Sequence, residues 1–71
     1  MISRERAIEI ARAEVEKQGV MSLEGRDTVA VKEGDVLHVY FPSLDTAIRS
    51  GEPHVFVSLA NGEVVDVQYT Q

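Results

Sequence analysis

The sequence predicts an α+β fold, one N-terminal helix packed on a four-stranded antiparallel sheet. Three observations carry that expectation. Apolar residues recur at helical spacing over about 4–18 and at strand spacing over four later segments. Glycine-bearing turns join those segments in pairs. A chain of 71 residues has room for a single domain, 1–71, because this length buries only about 60% of its unfolded surface.

The helix comes first. Ser3 is a suitable N-cap. Steps of 100° put Ala7, Ile8, Ala11 and Val15 on one arc, with Ile10 at its edge. Glu5, Glu9, Arg12 and Glu16 fall on the wet side, and Gly19 supplies a left-handed stop. Two alanines on the apolar stripe let the helix lie close to a sheet. Residues 20–27 have no clean period and read as a loop.

Strands are expected at about 28–32, 36–41, 54–59 and 64–70. In the first pair, Val29 and Val31 alternate with Thr28, Ala30 and Lys32, while Leu37, Val39 and Phe41 alternate with Val36, His38 and Tyr40. Directly opposed residues share a face. Matching Val31 to Leu37 and Val29 to Val39 requires the loop Glu33-Gly34-Asp35. In the second pair the same test favours the loop Ala60-Asn61-Gly62 with Gly62 left-handed, which sets Val57 against Val65 and Val55 against Val67. A tighter Asn-Gly turn would bury Asp66 without a partner. Tyr69 then extends the inner face. Between the pairs, Asp45 is placed to cap one helical turn at 46–49, with Gly51 ending it.

Composition narrows the function classes. The chain carries 12 acidic against 7 basic residues, a net charge of −5. Phosphate neutralisation needs Lys/Arg clusters, so nucleic acid is a poor partner. A basic protein suits this charge better, and acidity would speed their encounter. The absence of cysteine excludes disulfides and thiolate metal sites. Met1–Arg6 turns charged at once and lacks the apolar centre of a signal peptide. The longest apolar run, Val36 to Phe41, is too short to span a bilayer. Together these predict a cytoplasmic chain with no membrane partner.

The stretch Gly51-Glu52-Pro53-His54-Val55-Phe56-Val57 brings a carboxylate and an imidazole together before an alternation. Acid–base catalysis or metal ligation, with His38 as a further ligand, would use such groups. No HExxH motif, phosphate loop or activated nucleophile accompanies them. The structural reading explains more of the residues. Gly51 ends the preceding turn, Pro53 suits the start of a strand, and His54 begins the alternation opposite Val55 and Val57. The expectation is therefore no enzyme, no cofactor and no metal.

The face away from the helix is the informative one. It is expected to collect Val36, His38, Tyr40, His54, Phe56 and Val64, with Ala30, Ser58, Asp66 and Gln68 around them and Glu52 beside His54. An antiparallel sheet with one covered face turns polar residues to water on the other. Aromatics, histidines and valines there point to contact with a partner. The candidate partner-binding residues are Val36, His38, Tyr40, Glu52, His54, Phe56, Val64 and Asp66. A homodimer through the same face is the alternative occupant.

The segments ISRERAIEIARAEVEKQGV and GEPHVFVSLANGEVVDVQYTQ together resemble the bacterial family of nuclear-transport-factor-2-fold immunity proteins. Ser50 stands where that pattern has a second glycine. The resemblance implies neutralisation of a cognate toxin by direct binding, on a reduced shape similar to cystatin or to a PepSY domain. The PepSY likeness implies the alternative function, a regulatory or inhibitory module of a larger system. A small ligand-binding or enzymatic domain, with a pocket on the His38/His54 face, is the third reading.

Overall fold

The Ser3 side chain accepts a hydrogen bond from the Arg6 N–H at 3.1 Å and so caps the first turn of α1 (Arg4–Gln18). Gly19, at φ 66, returns its N–H to the Val15 carbonyl and ends the helix as expected. Ala7, Ala11 and Val15 are its fully buried residues. This computed structural model describes residues 1–20, 22–43 and 51–70, with Thr70 described by its backbone alone. The expected turn at 46–49 lies outside the described residues.

The sheet contains β1 (Val29–Glu33), β2 (Val36–Tyr40), β3 (Glu52–Ser58) and β4 (Val64–Thr70), antiparallel in the order β1-β2-β3-β4. The α+β fold, with the N-terminal helix packed on a four-stranded antiparallel sheet, is as the sequence predicts. α1 lies chiefly over β3, with β2 and β4 beside it. Between them Ala7, Ala11 and Val15 meet Leu37, Val39, Phe41, Val55, Val57 and Leu59. Leu23, in a segment read from sequence as an aperiodic loop, also enters this core. The two alanines permit close approach, and burial of the aliphatic side chains supplies the main favourable term.

The first hairpin departs from the expected register. Glu33 pairs with Val36, Lys32 with Leu37, Val31 with His38, Ala30 with Val39 and Val29 with Tyr40. The loop is therefore Gly34-Asp35, with Gly34 at φ 63, as a two-residue type II′ turn requires. Ala30 moves to the core face. Val29 and Val31 move to the other face, where Val31 is 44% exposed. β1 forms an edge of the sheet, away from the strands that α1 covers. Burying its valines gains little there, so the favoured turn sets the register.

The second hairpin departs as well. The Ser58 N–H donates to the Glu63 carbonyl at 2.7 Å and the Gly62 N–H donates to the Ser58 carbonyl at 2.8 Å. The loop thus runs from Leu59 to Gly62, with Gly62 at φ 78 in the expected left-handed conformation. Leu59 is drawn into the core at 6% exposure. Its N–H donates to the Asp35 carbonyl and its own carbonyl accepts from the Ile2 N–H, both at 2.8 Å. A β-bulge then sets Val64 opposite Val57 and leaves Val65 as the extra residue, 60% exposed. Val55 pairs with Val67 as expected, and Val57 does not pair with Val65.

Arg12 corrects the wet side of the helix. It is half-buried, donates from Nη1 to Thr28 Oγ1 at 3.1 Å, and sits 5.8 Å above the Phe41 ring centroid. The aliphatic stem covers apolar surface while the guanidinium reaches a partner.

Candidate functional site

Alternation along β2 and β3 projects Val36, His38, Tyr40, Glu52, His54 and Phe56 to the face opposite the core residues Leu37, Val39, Val55 and Val57. Asp66 joins them through its pairing with Phe56. Val64 does not. The bulge turns it inward, where it packs against the core. Val29, Val31 and Glu33 are additions that sequence reasoning assigned elsewhere; the Gly-Asp pair at 34–35 was the signal for them.

Four rings form a contiguous group. His38 faces Phe56 directly across the strands, with ring centroids 4.4 Å apart and planes within 14°. Tyr40 faces His54 in the same way, at 5.2 Å and 19°. On the diagonal, His38 and His54 lie 5.0 Å apart with planes tilted by 34°. Such cross-strand aromatic pairs each stabilise a sheet by about 0.5–1.5 kcal/mol.

The two imidazoles are also joined edge to edge. His38 Nε2 and His54 Nδ1 are 2.8 Å apart, a hydrogen bond in which one nitrogen donates and the other accepts. Each remaining nitrogen faces a carboxylate. His38 Nδ1 is 3.6 Å from Glu33 Oε2, and His54 Nε2 is 3.3 Å from Glu52 Oε2. A chain Glu33–His38–His54–Glu52 therefore crosses three strand segments. Its imidazoles are only 19% and 16% exposed, whereas the Glu33 side chain is 55% exposed. Asp66, also exposed, accepts from the Gln68 side-chain amide at 2.9 Å, beside the same rings.

Among the described residues, no group of three or more His, Cys, Asp or Glu side chains is arranged to hold a metal ion. An open hollow of about 400 Å³ lies on the helix side, lined by Arg12, Glu16, Ser22, Leu23 and Glu24. It shares no residue with the ring group. No helix among the described residues is long and apolar enough to cross a membrane.

No protein-family model, curated protein or solved structure matches this chain.

Proposed function

We propose that this chain is a non-enzymatic binding protein whose ring-bearing sheet face docks a basic protein partner. The observation that carries the reading is the ring group of His38, Tyr40, His54 and Phe56 bordered by Glu33, Glu52 and Asp66. Aromatic faces beside carboxylates favour guanidinium and ammonium groups through cation–π attraction and charge-assisted hydrogen bonds. The net charge of −5 has the sign that attracts such a partner. The resemblance at residues 2–19 and 51–71 makes a bacterial toxin domain the partner of choice and immunity the role, exercised in the cytoplasm by direct binding.

The test is neutralisation of a basic toxin domain encoded beside this chain. The chain should bind it and suppress its toxicity. Tyr40→Ala and Phe56→Ala should each weaken binding at least about tenfold while remaining folded, as expected for aromatic anchors. Full protection by both variants would rule out this face. A neighbouring gene for a membrane protease or sensor, bound by the chain in place of a toxin, would instead favour the regulatory reading.

A further inference from the structure

We propose that Glu33, His38, His54 and Glu52 take up one proton as a unit, and that this proton competes with a partner's cationic side chain for the two carboxylates. The first half stands on the four side chains alone; the second rests on the docking reading above.

Counting protons makes the case. Two imidazoles have four ring nitrogens, and here all four have a polar neighbour. His54 Nε2, 3.3 Å from Glu52 Oε2, is placed to donate an N–H, and His38 Nδ1, at the ion-pair distance of 3.6 Å from Glu33 Oε2, is favoured as N–H by the field of that carboxylate. The 2.8 Å contact between His38 Nε2 and His54 Nδ1 needs one proton. The satisfied chain thus holds three imidazole protons, one more than two neutral rings carry. With only two, either the bridge lacks its proton or a bare nitrogen lone pair confronts a carboxylate. With four, two N–H groups oppose each other across the bridge. The three-proton state gives the imidazole pair one positive charge against two carboxylates.

Ring geometry gives independent support. His38 is stacked on Phe56 and His54 on Tyr40, so a charge shared by the pair lies over two aromatic faces. The charged or titratable neighbours are Glu33 from β1, Tyr40 from β2, Glu52 from β3 and Asp66 from β4. The three carboxylates among them all favour a cation. Lys32 projects to the opposite face of its strand.

A docking arginine or lysine that engages Glu33 or Glu52 displaces an imidazole N–H from that carboxylate. The extra proton then loses its support and leaves. Linkage requires affinity to fall by about tenfold per pH unit on acidification where one proton is released.

The test uses the full chain with ¹⁵N-labelled histidine. Across a pH series, the His38 and His54 ring signals should move together through one transition worth one proton. Glu52→Gln should alter both rings. Separate transitions worth a whole proton each, with Glu52→Gln altering His54 alone, would overturn the unit. In a second arm the probe is a short oligoarginine peptide. Its affinity should drop about tenfold per pH unit through the transition, and His54→Gln should flatten that slope. Equal affinity across the transition would overturn the competition. Failure of the peptide to bind at any pH would remove both the competition and the basic-partner reading, while the ring signals would still decide the unit.

Discussion

Arg26 Nη1 donates to the Phe41 carbonyl at 2.9 Å, just beyond the end of β2. The same guanidinium reaches the Gly51 carbonyl from Nη2 at 3.3 Å, just before β3 begins. One side chain therefore holds the two strand ends from which the central hairpin's long connection departs. Neighbouring backbone adds to the clasp, with the Asp27 N–H donating to the Pro42 carbonyl at 2.9 Å.

Arg26→Ala should lower stability by about 1–3 kcal/mol, the range for losing hydrogen bonds from a charged donor. Arg26→Lys should recover only part, because an ammonium lacks the planar fork that reaches two carbonyls. Urea unfolding midpoints would measure both. A midpoint unchanged in Arg26→Ala would mean that the clasp adds nothing.

The two phenylalanines should respond differently to truncation. Phe41 is fully buried in the core, so Phe41→Ala should cost about 3–5 kcal/mol. That approaches the whole stability of a small domain. Phe56 is half-buried on the other face, and Phe56→Ala should cost about 1–2 kcal/mol. Thermal denaturation would rank them, and equal losses would contradict the two-faced sheet.

Gly62 has a positive φ and a crowded site. A Cβ there would lie 3.3 Å from Ile10 Cδ1 and 3.6 Å from Ile2 Cδ1. Gly62→Ala should cost about 1–2 kcal/mol from backbone conformation alone, and somewhat more from the contact. Ile10→Val removes the nearest atom, so the glycine substitution should cost less in that background. A double-mutant cycle would read the coupling; strict additivity would assign the whole loss to the backbone.

Tyr69 ties β4 to the helix, its hydroxyl donating to Gln18 Oε1 at 2.5 Å. Burial, and then the nearby Glu14 carboxylate, raises its pKa above the ordinary phenol value. The folded chain therefore keeps this proton where the unfolded chain has lost it. Stability contributed by Tyr69 is complete below about pH 10, and it declines as pH rises through the interval up to the raised value. Tyr69→Phe should be less stable at neutral pH yet show a shallower alkaline decline. Parallel alkaline curves for the two proteins would refute this linkage.

Helix and strands were legible because each carries its own periodicity. Ser3 and Gly19 mark the helix ends in chemical terms, and the alternations in β2 and β3 leave one choice of inner face. In the first hairpin two physical rules conflict. Burying Val29 and Val31 asked for one register, and Gly34-Asp35 asked for another; at an uncovered edge the turn prevailed. In the second hairpin, strand alternation carries Leu59 as the last residue of β3, whereas the structure places it in the loop. Its side chain is needed by the core, its N–H by the Asp35 carbonyl and its own carbonyl by the Ile2 N–H, which lengthens the loop and forces the bulge at Val65. Most of the ring face is independent of both turns, since its rings lie on the two central strands. Glu33 follows the register: a three-residue loop would contain it, whereas the two-residue turn makes it the end of β1.

Each strand lies beside its neighbour in sequence, so the ladder can zip up with little chain-closure entropy. Attachment of α1, including the bond from Ile2 to Leu59, joins segments far apart in the chain. Kinetics should therefore separate the two events, with hairpins organised in the transition state and the helix seated afterwards. Stopped-flow measurements on Ala11→Gly should show faster unfolding and an almost unchanged refolding rate. Slowed refolding would put helix attachment ahead of the rate-limiting step.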